Sequence, residues 1–182
     1  MRERLKASLP WAAPVATMAV VSISISLSFP LFALLLERMG VSGTLVGLNH
    51  MVAAAAMVIS APVLPAILER TGVVPLAVGA IVILALSMAA IPLFESYYWW
   101  AALRVAFGFT VTALFYVSEY WMVAQSPAAS RGRIVGTYTI VLSGSYMIGP
   151  ALLAWLGADN WLTFAIPTVL ILASALPVLL AR

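Results

Sequence analysis

The chain has 182 residues, of which 64% are hydrophobic and only 8% are charged, with a formal net charge of +3 and no cysteine. A soluble domain carries about 25% charged residues because its outer layer must be polar, so this composition excludes a soluble fold. The lack of cysteine excludes disulfides, thiol nucleophiles and thiolate metal sites, and the small charge does not indicate nucleic-acid binding. The composition therefore predicts an integral membrane protein.

Six apolar runs are long enough to cross a bilayer, which takes about 20 residues in a helix. Strands are not predicted, because a membrane barrel needs alternating polar residues and none of the runs alternates. The first run is too long for a cleaved signal peptide. We therefore predict an all-α, single-domain protein over 1–182, with spans at about 11–36, 44–67, 73–94, 98–124, 134–156 and 161–181.

The basic residues predict the orientation of the chain. One side of the membrane receives seven of them, whereas the other side receives only Arg38. Basic residues favour the cytoplasmic side, so both termini are expected there, in a cell membrane of the bacterial inner-membrane type. The seven residues are Arg2, Arg4, Lys6, Arg70, Arg131, Arg133 and Arg182.

Short matches about 88 residues apart suggest an internal repeat. Val46-Gly47 matches Val135-Gly136, and Ile83-Leu84-Ala85 matches Ile171-Leu172-Ala173. Transporter folds are often built from such repeats. Three spans per unit predict a 3+3 arrangement in which the second unit is inverted.

Arg104 and Glu119 lie inside the fourth predicted span, where a charge costs about 2.5–3.5 kcal/mol on insertion scales. They are 15 residues apart, so about 22 Å of helix separates them and they are expected to face roughly the same interior. Thr112 and Tyr116 lie between them on that face. Two readings stay open for each charge: a functional group, or a structural one that bonds to helix carbonyls (Arg104) or reaches interfacial water (Glu119).

Other polar and small residues are weaker candidates for function. Asn49 and His50 follow the start of the second span, and a histidine can titrate near neutral pH. Ser22 and Ser26 stack at i, i+4 in the first span, where small hydroxyl residues indicate either close helix packing or a pore lining. Close packing and a kink are the expected roles of Gly144, Gly149 and Pro150 in the fifth span.

Four short sequence patterns, in order along the chain, together resemble motifs of the major facilitator superfamily. Glu69-Arg70-Thr71-Gly72 is similar to that family's loop signature, with Glu69 where Asp is usual and with Val73 and Val74 replacing basic residues. The other patterns that resemble the family are Arg104-x-x-x-Gly108 in the fourth span, Arg131-Gly132-Arg133 before the fifth, and Gly144 with Gly149-Pro150 within the fifth.

The resemblance implies a secondary active transporter that moves a small solute by alternating access, with proton coupling. It implies that the first and fourth helices line a central cavity, which would contain Ser22, Ser26, Arg104, Tyr116 and Glu119. The expected substrate and proton pathway also includes Thr112 in the fourth span, and Asn49 and His50 in the second. A full transporter of the family that this chain resembles has twelve helices in two halves, and the six predicted spans would supply one of them. The expected partners are therefore the bilayer, a small-molecule substrate, protons, and either a C-terminal six-helix half or a second copy of the chain. A membrane-embedded enzyme is disfavoured, because one histidine and no cysteine leave no metal cluster or catalytic triad, and no cofactor is expected. A non-transporting scaffold subunit is the alternative function.

Overall fold

A computed structural model describes residues 2–126 and 130–180, and all regular structure in those residues is helical. Six segments are long and apolar enough to span a membrane: 14–38, 43–60, 73–93, 97–124, 131–156 and 162–180. The prediction of an all-α protein with six spans is confirmed. The helices are α1 (Arg2–Arg38), α2 (Gly43–Ser60), α3 (Leu64–Thr71), α4 (Val73–Ala89), α5 (Tyr97–Gln125), α6 (Arg131–Leu156), α7 (Leu162–Ala173) and α8 (Ala175–Leu180), with a 3₁₀ turn at Ile91–Leu93.

The second span is shorter than the sequence predicted. Helix α2 ends at Ser60, a turn follows at 61–63, and the short helix α3 then carries the chain to Thr71. Pro62 and Pro65 explain the interruption, because proline has no N–H and disfavours helical geometry in the residue before it. The predicted continuous helix over 44–67 is therefore wrong.

Prolines also divide the third and sixth spans. The third ends in a 3₁₀ turn that contains Pro92, and the sixth breaks at Ser174 between α7 and α8. Pro177 cannot donate to the carbonyl four residues earlier, so the break falls where that hydrogen bond would have been. The predicted last residue of the sixth span, Ala181, and the basic residue Arg182 lie outside the described residues.

The links between spans lie at two ends of the bundle. Arg38 forms an ion pair with Asp159, and both residues line a cavity of about 340 Å³ together with Glu95. The links 39–42, 94–96 and 157–161 therefore meet at one end of the bundle, which we call the Arg38 end. Because each span crosses the bundle once, the link 61–72, the end of α5 and the start of α6 lie at the opposite end, which we call the Arg70 end.

Helices that are distant in the sequence make the most extensive contacts. Helix α1 packs mainly on α6, and α2 packs mainly on α5, whereas α1 and α2 barely touch. The first span therefore pairs with the fifth, and the fourth pairs with the second. In a 3+3 repeat the first span corresponds to the fourth and the second to the fifth. The pair of the first and fifth spans then corresponds to the pair of the fourth and second, so the observed packing agrees with such a repeat.

Two glycine links show the same correspondence in detail. Gly72 ends the helix before the third span at φ 85° and ψ 168°, and Gly157 ends the helix before the sixth span at φ 78° and ψ 159°. Each glycine N–H donates to a leucine carbonyl four residues earlier, Leu68 or Leu153, at 2.8 Å. Positive φ is strained for other residues, so glycine is required at both links.

Candidate functional site

Arg104 is completely buried, which is unusual for a guanidinium group in the apolar part of a membrane protein. Its central carbon lies 4.0 Å from the ring centre of Phe32, 5.2 Å from that of Phe29 and 5.9 Å from that of Phe107. An aromatic face attracts a cation, and this attraction is stronger where water is excluded. The three rings therefore compensate part of the cost of burying the charge.

Helix α2 supplies the polar partners of Arg104. The guanidinium Nε donates to the side-chain oxygen of Asn49 at 3.4 Å, and Nη2 lies 3.2 Å from Nε2 of His50. His50 also places Nδ1 2.9 Å from the carbonyl oxygen of Val46 and Nε2 3.1 Å from that of Phe29. Residues from three spans therefore meet around one cation.

Two nitrogen atoms of this cluster have no hydrogen-bond partner in the described part of the chain. They are Nη1 of Arg104 and the amide nitrogen of Asn49, and both are buried. Each is a hydrogen-bond donor, and a buried donor without an acceptor costs about 1–3 kcal/mol. The cluster therefore has spare donors next to a positive charge.

Gly108 explains why α5 can approach α2 so closely. A Cβ atom at this position would overlap the carbonyl oxygen of Ala53 and would lie 2.9 Å from the Cβ of Ala56. Arg104 lies one turn before Gly108 on the same face of α5, and Asn49 lies one turn before Ala53. The spacing Arg104-x-x-x-Gly108 thus brings the guanidinium to its partners on the neighbouring helix.

The structure corrects the predicted position of Arg104. We expected its side chain to lie on an open cavity wall of this half and to face the same interior as Glu119. Instead Arg104 is buried between α1, α2 and α5, whereas Glu119 is exposed. The two residues are separated by an angle of about 60° around the axis of α5. This angle is enough to place Arg104 on the packed face of the helix and Glu119 on its open face, so the expectation was wrong.

The open face of α5 carries the other predicted charge. Glu119 lines a shallow recess of about 370 Å³ together with Tyr116, Tyr120, Val123 and Ala124. Thr112, one turn before Tyr116, is half-buried and donates to the carbonyl of Gly108 at 2.9 Å. Tyr138 of α6 is buried, and its hydroxyl has no hydrogen-bond partner in the described residues. Glu119, Tyr116 and Thr112 therefore lie on one side of α5.

The serines of α1 do not lie on an open face. Ser22 and Ser26 are buried, and each hydroxyl donates to a carbonyl of its own helix, Met18 at 2.7 Å or Ile23 at 3.1 Å. Gly149 explains part of this burial, since a Cβ there would overlap the Ser26 hydroxyl and lie 2.7 Å from the Ile23 carbonyl oxygen. The predicted pore-lining position of these serines is corrected to the α1–α6 contact.

The remaining glycine and proline candidates of α6 behave differently from Gly149. Apart from its chain neighbours and the backbone of its own helix, nothing in the described chain lies within 4 Å of a Cβ placed at Gly144, so Gly144 does not bring α6 close to another described helix. Pro150 is exposed, and α6 continues through it to Leu156.

The loop-signature residues lie at the Arg70 end. Glu69 and Arg70 are exposed on the last turn of α3, and Gly72 forms the positive-φ link into α4. Arg131 and Arg133 are exposed on the first turn of α6. These five residues therefore belong to the connections at one end of the bundle and lie apart from the Arg104 cluster.

Sequence reasoning missed the aromatic contacts of Arg104 and the ion pair at the Arg38 end. Phe29 and Phe32 were not singled out, although Phe–Arg contacts between spans are a known way to hold a buried cation. The Arg38–Asp159 ion pair was missed as well. The sequence indicated this ion pair only weakly, through one basic and one acidic residue in two links that were predicted to lie on the same side of the membrane.

Six packed spans, with Arg104 and Glu119 at two depths of one helix, define a polytopic membrane protein. Residues 15–182 match the profile of the Major Facilitator Superfamily. The match covers nearly the whole chain, so the chain belongs to that family of transporters, as its motifs predicted. No individual curated protein matches it.

Proposed function

We propose that this chain forms one half of a secondary active transporter that moves a small solute by alternating access and couples that movement to protons. Its partner in this proposal is a second six-helix unit, either a C-terminal half or a second copy of the chain. The spans 43–60 and 131–156 are the least buried of the six and support this pairing, because helix faces left open by one half can pack on another.

The single observation that carries the proton coupling is the exposed position of Glu119 in a largely apolar recess. A carboxylate on an apolar face in contact with lipid is costly, so the open face of α5 is better explained as a wall of a water-filled pathway between two halves. Glu119 lies about 9 Å before the end of α5, close to the Arg70 end. A carboxylate there can accept a proton when the pathway opens on one side and release it on the other.

The test of this proposal is Glu119→Gln in the complete transporter. The amide keeps the size of the side chain but cannot carry a proton, so proton-driven accumulation of substrate is expected to disappear while counterflow exchange continues. The matched control is Glu95→Gln, an exposed carboxylate in the link before α5, which should leave accumulation unchanged. Accumulation by Glu119→Gln equal to that of the parent would exclude Glu119 as the proton carrier.

We further propose that the Arg38 end faces outward and that the Arg70 end faces the cytoplasm. The chain has no cysteine, so single cysteines report on topology directly. Ser42→Cys, exposed at the Arg38 end, should react with an impermeant maleimide in intact cells, whereas Thr71→Cys, exposed at the Arg70 end, should react only after permeabilisation. The reverse labelling pattern would overturn the proposed orientation.

A further inference from the structure

His50 makes two contacts through Nε2 that cannot both be favourable in one protonation state. Its Nδ1 faces the carbonyl of Val46, which can only accept, so Nδ1 carries a hydrogen. In the neutral ring Nε2 is then an acceptor, which suits the donor Nη2 of Arg104 but not the carbonyl oxygen of Phe29. The neutral state therefore favours the Arg104 contact.

A proton on His50 reverses this preference. Nε2–H then donates to the Phe29 carbonyl, and the contact with Arg104 becomes one between two donors and two positive charges. Nη2 of Arg104 would join Nη1 as a donor without an acceptor, beside the free amide N–H group of Asn49. Protonation thus converts a partly satisfied cluster into a set of donors with a charge of +2.

We propose that Asn49, His50 and Arg104 form a binding site for a small oxyanion, such as a carboxylate, and that the anion binds together with a proton on His50. Two parallel N–H groups of a guanidinium match the two oxygens of a carboxylate, and the free Asn49 amide supplies a further donor. The proposal names a substrate class for the proposed transporter and rests on that function only for its physiological meaning.

The charges around His50 support an anionic ligand. Helix α5 presents Arg104, and Tyr97 of the same helix donates to the carbonyl of Leu45 on α2. Helix α1 presents the ring and the carbonyl of Phe29. None of these contacts in the described chain supplies a carboxylate, and a buried cation without a counter-charge is strongly disfavoured.

Phe29 is the side chain through which a ligand can reach the cluster. Its ring stacks on His50 at 5.4 Å, lies over Arg104, and is 39% exposed. His50 is itself half-buried. Of the three rings around the guanidinium, Phe29 therefore lies at the surface, whereas Phe32 and Phe107 are buried.

The test is calorimetric titration of the purified chain in lipid nanodiscs with sodium acetate, with acetamide as the uncharged ligand of the same shape. Acetate is expected to bind about tenfold more tightly at about pH 5.5 than at about pH 8, and acetamide should not bind at either pH. Acetate affinity that is the same at the two pH values, or no acetate binding at all, overturns the proposal.

Variants separate the roles of the two residues. His50→Gln, at a partly exposed position that should tolerate the change, is expected to abolish the pH dependence. Arg104→Gln should weaken acetate binding at least about tenfold, whereas Arg38→Gln removes an equal charge from an exposed position and should not. If Arg104→Gln does not fold, the His50→Gln result still decides, because persistent pH dependence in that variant refutes the proposal.

Two sources of the oxyanion are distinguished by repeating the titration on the chain assembled with its second half. Retained acetate binding identifies a free anion as the ligand. Binding that is lost on assembly, and that returns when an acidic residue of the second half is replaced by its amide, identifies that side chain as the oxyanion. Because this assay measures binding without transport, failure of the Glu119 proposal leaves it unaffected. Transport coupled through Glu119 likewise survives if acetate does not bind.

Discussion

The two charged residues of α5 occupy opposite environments on one continuous helix. Arg104 is enclosed by three aromatic rings and by polar groups of α2, whereas Glu119, about 22 Å further along, faces an open recess. The difference shows that two intramembrane charges on one helix need not share a task. The arginine is built into the helix packing, and the glutamate is left free to meet water, a proton or a second half.

Arg104→Lys should give the largest loss of stability and so sharpen this comparison. Lysine keeps the charge but loses the planar fork, so the bond from Nε to Asn49 and the stacking on Phe32 are both lost. We expect the free energy of unfolding to fall by about 3 kcal/mol, measured by denaturant titration in detergent. Glu119→Gln should change it by less than about 0.5 kcal/mol. Equal effects at the two positions would remove the distinction between a packed and an open charge.

Gly108→Ala should have the next largest effect, because it separates α5 from α2 without touching a charge. The added methyl group meets the backbone oxygen of Ala53, which cannot rotate away, so a cost of about 2 kcal/mol is expected. Gly144→Ala is the control: a Cβ there has open space around it, and the substitution should be neutral or slightly stabilising. Thermal unfolding of both variants in the same detergent measures the difference, and a neutral Gly108→Ala would contradict the close α2–α5 contact.

The smallest effect is expected at the exposed Arg38–Asp159 ion pair. Both side chains are largely solvent-accessible, so Asp159→Asn should lower the free energy of unfolding by no more than about 1 kcal/mol, and high salt should reduce even this. Denaturant titration at low and high salt checks the point. If Asp159→Asn lowered the free energy of unfolding as much as Arg104→Lys does, the contribution of a charged residue to stability would not depend on its exposure in this protein.

Span number, helix class and family could be predicted from the sequence, because each depends on length, apolar content and local motifs. The faces of the helices could not. In a soluble helix polar residues mark the outer face, but in α1 apolar residues surround the helix on all sides, so the burial of Ser22 and Ser26 left no periodic signal. The Arg104 cluster was hidden for a different reason: Asn49 and His50 are 55 and 54 residues away in sequence, and only packing brings them to the guanidinium.

The pairing of distant spans also fixes the order in which the bundle can assemble during synthesis. Helices α1 and α2 emerge together yet hardly touch, and the main partner of α1 is α6, which begins only at Arg131, after three further spans. The early spans therefore have to remain in lipid as separate helices until late in translation, because their main partners do not yet exist. During that interval Asn49 and His50 are in the membrane before Arg104 has been made, so the buried cation enters a membrane in which its acceptors are already present.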